Sequence, residues 1–104
     1  MREICLVHLD KTRPALVLTR EAARGAMTKV TVAPITSALK GLSSEVRVGP
    51  DNGLDHESAV SLDNVLTVPV TTLGRTIGYL SAHQEALLAR AVVLTYDLEL
   101  PLLE

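Results

Sequence analysis

Apolar residues in this chain alternate with polar ones in short runs punctuated by turn-forming residues, and a helical spacing takes over only near the end. Residues 3–9, Glu-Ile-Cys-Leu-Val-His-Leu, are apolar on both faces and predict a first, central strand. Asp10-Lys11-Thr12 makes a tight connection, and residues 14–19 return as a second strand. Pro14 is tolerated there because the first position of a strand can lack a ladder donor. Residues 20–27 are Ala-rich and predict a short helical excursion ending near Gly25, and residues 29–35 alternate as a half-buried strand. A turn at Gly41 leads to a short strand ending at Val48, and Gly49-Pro50-Asp51-Asn52-Gly53 carries the strongest loop signal in the chain. Residues 58–62 and 65–70 predict two more strands with Asp63-Asn64 between them, and Leu73-Gly74 predicts a turn into a strand over 75–80. Ser81, with Gln84 three residues on, forms a capping box for a helix whose Leu87, Leu88, Ala91, Val92, Thr95 and Leu98 fall on one stripe. The expected fold is mainly β: a small antiparallel β-barrel closed by a C-terminal α-helix. With no repeat, low-complexity tract or linker, residues 1–104 form a single domain.

Composition narrows the function classes. At 104 residues and 47% hydrophobic, with no Phe or Trp, the core must be built from Val, Leu, Ile and Ala. A net charge of −2 argues against a protein that coats nucleic acid by bulk electrostatics, though it leaves room for a local basic groove. Arg13, Arg20, Arg24, Lys29, Lys40, Arg47 and Arg75 all fall in or beside loops, where scattered solvated cations are the plainer reading. Cys5 is the one cysteine, so no internal disulfide forms, and it reads as a core thiol. The first apolar run is too short for a signal peptide and no run is long enough to cross a bilayer, so a soluble cytoplasmic protein is expected, with no membrane partner. No metal-ligand spacing joins the histidines to Cys5 or to a carboxylate pair, so neither a metal nor another cofactor is expected. Leu103-Glu104 reads equally as native chain or as a cloning remnant.

The candidate chemistry lies in two short stretches, Arg13-Pro14-Ala15-Leu16-Val17-Leu18 and Val32-Ala33-Pro34-Ile35-Thr36-Ser37. The first begins at a fixed cation and the second ends at two hydroxyls. As neighbouring strands they can converge a guanidinium and a hydroxyl at one sheet edge. That pairing suits a phosphate, because Arg offers a planar fork of donors and stays charged at any relevant pH.

These residues, taken with Ser58-Ala59-Val60-Ser61-Leu62-Asp63-Asn64-Val65 and the run from Val68 to Leu80 before a single helix, resemble the MazF/PemK family of toxin endoribonucleases. The order and spacing of the motifs carry the resemblance over nearly the whole chain. It implies an SH3-like plasmid-toxin barrel, a homodimer, metal-independent cleavage of single-stranded RNA (mRNA) at short motifs, and inhibition by a cognate MazE-like antitoxin. It places the catalytic pair on Arg13 and Thr36, with Ser37 close by, and an acidic–amide pair on Asp63 and Asn64. One departure stands out: where most members carry a long Gly/Ser-rich loop between the first two strands, this chain has only Asp10-Lys11-Thr12. A more open site or an altered cleavage preference follows.

Cleaving RNA without a metal requires the 2′-hydroxyl to lose a proton, the phosphorane to be stabilised and the 5′-oxygen to gain a proton. Arg13 suits the middle task, and Thr36 adds a neutral donor. A guanidinium, with a reference pKa of about 12.5–13.8, is a poor proton carrier. Of the histidines, His8 near the end of strand one can reach the mouth of the site, although a His held by a backbone partner is the commoner case. His56, in a Gly/Asp-rich loop, and His83, in the first helical turn, read as solvated. Asp63 and Asn64 can read base edges or simply form a polar turn, and Lys11 and Arg75 can hold flanking phosphates. The rivals are a non-enzymatic CcdB-like toxin of the same fold that binds gyrase, and an SH3-like peptide binder, which would want an aromatic-lined groove this chain lacks.

Overall fold

A computed structural model describes residues 2–99; Leu103 and Glu104 lie outside them. The described residues form seven strands: β1 (Glu3–His8), β2 (Thr12–Val17), β3 (Lys29–Thr36), β4 (Glu45–Val48), β5 (Ser58–Ser61), β6 (Leu66–Pro69) and β7 (Leu73–Tyr79). Helix α1 (Glu21–Arg24) interrupts the β2–β3 connection, and α2 (Ala82–Thr95) follows the last strand. The sheet runs β4-β5-β3-β2-β1-β7, with β6 also paired to β3. All pairings are antiparallel. Strand β3 makes the sheet curl: its Lys29–Val32 half pairs β6 while its Ile35–Thr36 end pairs β5.

The central strands are buried on both faces, as an unbroken apolar run requires. Ile4, Leu16, Ala33 and Ile35 pack with Val46, Val60, Leu62 and Leu80 beneath Leu88 and Ala91 of α2. Cys5, Val7, Ala15, Val17, Val30, Val32 and Val68 form a second cluster on the opposite face. Cys5 is buried, as its position predicts. Arg24 of α1 pairs with Glu3 of β1, whose other carboxylate oxygen accepts from the Thr76 hydroxyl at 2.7 Å, so the short helix is tied to the barrel.

Three details differ from the sequence pattern. The turn expected at Leu73-Gly74 is a 3-10 turn at Val70–Thr72, and Gly74 lies inside β7. Its lack of a side chain serves close approach, since a Cβ there would sit 2.3 Å from His8 Nε2. The helical stripe is narrower than its spacing suggests, because α2 ends at Thr95 and Asp97 takes a left-handed φ of 51°. Leu98 therefore falls outside the helical period and is exposed, as is Leu87, while Leu88 and Ala91 are buried. The strand after Pro14 starts earlier, at Thr12, because His8 Nδ1 and Thr12 Oγ1, 2.9 Å apart, close the hairpin.

At the capping box, Ser81 Oγ accepts from Gln84 N at 3.1 Å and Gln84 Oε1 accepts from Ser81 N at 2.9 Å. Gln84 Oε1 also accepts from Asn52 Nδ2 at 2.7 Å, so the start of α2 is fastened to the loop before β5. That loop is seated on β7. A Cβ on Gly53, whose φ is +86°, would lie 1.9 Å from the Ile77 carbonyl oxygen, and one on Gly78 would lie 1.8 Å from that of Asn52.

Candidate active site

Strands β2 and β3 pair as Ala15↔Pro34, Leu16↔Ala33 and Val17↔Val32. Continuing that register two residues sets Arg13 opposite Thr36, which is why a cation and a hydroxyl so far apart in sequence arrive at one sheet edge. Both line a cleft of about 410 Å³ with Ser37 from the end of β3, Arg75 from β7, Leu54, Asp55 and His56 from the loop into β5, and Ser58 at the start of β5. Leu6, Ile35 and Ile77 supply apolar wall. Two guanidiniums face one carboxylate here, so a chain of net negative charge carries a locally cationic hollow.

Thr36 is held in a way that aims its hydroxyl. Its Oγ1 accepts from the backbone N–H of Ala38 at 3.1 Å, which fixes the oxygen and leaves the hydroxyl proton free to be donated. The segment that follows is held by Glu45, whose Oε1 accepts from the backbone N–H groups of Lys40, Gly41 and Leu42 at 3.3, 2.9 and 3.2 Å. Arg13 sits on the cleft's rim, shared with a neighbouring apolar hollow lined by Val7, Leu9, Pro34 and Leu66 together with Asp10 and Lys11.

Of the sequence-derived candidates, Arg13, Thr36, Ser37 and Arg75 meet in the cleft. Lys11 stands in the adjoining hollow beside Arg13. His8 is outside the cleft lining, its ring bonded to Thr12 and laid over Gly74. Asp63 accepts from the Ser44 hydroxyl and Asn64 Nδ2 donates to Ser61 Oγ at 2.8 Å, so both are engaged in the turn between β5 and β6 and neither lines the cleft. Leu54 and Asp55 are cleft residues that the sequence did not single out, and His56, weighed there as a proton carrier and set aside as solvated, lines the cleft with them. Their approach depends on the Gly53 and Gly78 backbone contact, which no local pattern announces. Among the described residues no cluster of three or more His, Cys, Asp or Glu is placed to hold a metal ion, and no helix is long and apolar enough to cross a membrane.

Residues 2–95 match the PemK-like, MazF-like toxin of type II toxin–antitoxin systems. The chain belongs to this family. It is 54% identical over 99 residues to endoribonuclease MazF3 of Mycobacterium tuberculosis, covering 95% of this toxin and 96% of that protein. It is 35% identical over 86 residues to the probable endoribonuclease MazF5 of the same species, covering 82% and 79%. The solved M. tuberculosis toxin MazF-mt6 superimposes with a TM-score of 0.92 at 52% identity, over 95% of this toxin and all of that chain. A MazE–MazF complex from Deinococcus radiodurans shares the fold at 21% identity and a TM-score of 0.76, over 94% and 93% of the chains.

Proposed function

We propose that this cleft cuts single-stranded RNA by attack of a 2′-hydroxyl on its own phosphodiester, with Arg13 and Thr36 as the catalytic pair. The convergence of these two residues on one cationic cleft carries the reading. The chain is an endoribonuclease toxin, the activity for which its 54%-identical relatives are named. As O2′ closes on phosphorus, negative charge builds on the non-bridging oxygens. The Arg13 fork and the Thr36 hydroxyl proton donate to them where that charge develops, and Thr36, its oxygen already held by the Ala38 N–H, needs little rearrangement during the step. Removing the charged Arg13 donor costs roughly a hundred- to a thousandfold in rate. The stabilisation a divalent ion often supplies at a phosphoryl centre is thus available from the chain's own groups.

Ser37 and Arg75 hold the phosphates or sugars flanking the scissile bond, and Lys11 serves a nucleotide that leaves the cleft past Arg13. Asp63 and Asn64, already bonded within their turn, are reached only by RNA running beyond the cleft. With only Leu9–Lys11 between β1 and β2, the site stands open on that side. The substrate places the toxin's action in the cytoplasm. Its partners are a MazE-like antitoxin and a second copy of itself, since an aromatic-free core of this size gains stability by burying apolar surface between protomers. Exposed Leu9, Leu66 and Leu94 are apolar surface of that kind, with half-buried Val93 beside Leu94. A gyrase-binding toxin would need no Arg13–Thr36 convergence, so that rival is not favoured. The test is incubation of wild type and Arg13→Ala with long single-stranded RNA in excess EDTA. Discrete fragments bearing 2′,3′-cyclic phosphate ends from the wild type alone are expected. Fragments with 5′-phosphate ends, or equal cutting by both proteins, would overturn the mechanism.

A further inference from the structure

The Arg13–Thr36 pair stabilises charge but moves no proton, and the attacking 2′-hydroxyl must lose one. The cleft's titratable lining residues are Arg13, Asp55, His56 and Arg75. Guanidiniums do not release protons in any relevant range, and an ordinary carboxylate is a weak base. Imidazole is the side chain whose ordinary titration lies nearest to working pH, which is what efficient general-base catalysis requires. His8 lies outside the cleft lining with its ring bonded to Thr12, and neither Tyr79 nor Tyr96 lines the cleft.

We propose that His56 is the general base of this site, a role that rests on the ribonuclease reading above. Its loop is pinned at both ends. On one side buried Asn52 is bonded to the Tyr79 carbonyl at 2.9 Å and to Gln84, and Gly53 lies against the backbone of β7. On the other, the hydroxyl of buried Ser58 donates to the His56 carbonyl at 3.0 Å. The next residue, Glu57, turns to the other side of the loop, within 3.8 Å of Arg47, and lines a different hollow. The backbone at His56 is thus anchored, and His56, an exposed residue, lines the cleft. The charged groups facing it are Arg13 from β2, Arg75 from β7 and Asp55 from its own loop.

The step balances without an added reagent. An imidazole nitrogen of His56 takes the proton of the 2′-hydroxyl as the O2′–P bond forms. The P–O5′ bond breaks, its electron pair goes to O5′, and O5′ takes a proton from water entering the open cleft. The imidazolium returns its proton to solvent. The products are a 2′,3′-cyclic phosphate and a 5′-hydroxyl. Because the base acts in its neutral form, the rate should fall toward acid pH.

The test is single-turnover cleavage of a single-stranded oligoribonucleotide at saturating enzyme, in EDTA, from about pH 5 to 9, by wild type, His56→Ala and His56→Gln. Matched circular dichroism and melting curves establish that the exposed substitutions leave the fold intact. General-base catalysis is typically worth about 10²–10⁴-fold, so losses in that range are expected, together with disappearance of the acid-side fall. Free imidazole should restore part of the rate to His56→Ala. A loss under about threefold with the pH profile unmoved, or a loss confined to substrate affinity, would overturn the assignment while leaving the ribonuclease reading standing. A wild type that leaves the RNA intact would remove both.

Discussion

At the scale of single residues, the proposed mechanism separates charge stabilisation from proton transfer. Arg13→Ala should lower the single-turnover rate by roughly a hundred- to a thousandfold, whereas Arg13→Lys, which keeps the charge and loses the fork, should recover only part of it. Thr36→Val removes one neutral donor of near-identical shape. Its expected cost is about fivefold to tenfold, as for a hydrogen bond worth about 1 kcal/mol. Rate constants for the three variants decide this, and a Thr36→Val loss as large as that of Arg13→Ala would mean the hydroxyl does more than donate. His56 belongs to the same scale but to a different task, which is why its signature is a pH profile and not only a magnitude.

At the scale of elements, the loop between β4 and β5 is fastened to the barrel by backbone contact. Gly78→Ala places a methyl 1.8 Å from the Asn52 carbonyl oxygen, so it should cost about 1–3 kcal/mol and also slow cleavage, because the displaced loop carries Asp55 and His56. An unchanged melting temperature would show that the loop gives way without cost. Ser81→Ala removes the oxygen that caps α2, and a loss of about 1 kcal/mol should lower Tm by about 4–8 °C with the cleavage rate unchanged. The elements legible in the sequence are those whose cause is local. Strands β1, β2 and β3 follow from their own apolar pattern, and the Ser81–Gln84 box from residues three apart. The pairing of Arg13 with Thr36 was also within reach, since both stand at the far ends of consecutive strands that pair antiparallel across the connection bearing α1. What escaped depended on distant partners. Gly74 looks like a turn until the His8 ring is seen over it, and Asp63 looks free until Ser44 is seen donating to it; His56 is exposed, as its loop predicts, but its place in the cleft lining follows from Gly53 seated on Ile77 and Gly78.

At the scale of the whole molecule, a net charge of −2 surrounds a cleft where two guanidiniums meet one carboxylate. Affinity for RNA should then depend on salt only as a few phosphate contacts require. With Arg13, Arg75 and Lys11 engaged, log K against log salt should slope by about −2 for a single strand, and a slope near −6 would reveal a far wider basic surface. The curled sheet sets the opening residues of β2 against the closing residues of β3, and in the proposed mechanism their two side chains address one phosphate. A double-mutant cycle on Arg13→Ala and Thr36→Val, read in single-turnover cleavage with EDTA present, measures that directly. Groups acting on the same transition state are strongly non-additive, so the double variant should lose markedly less than the product of the two single losses. Losses that simply multiply would contradict it, and would mean that Arg13 and Thr36 act on different parts of the substrate.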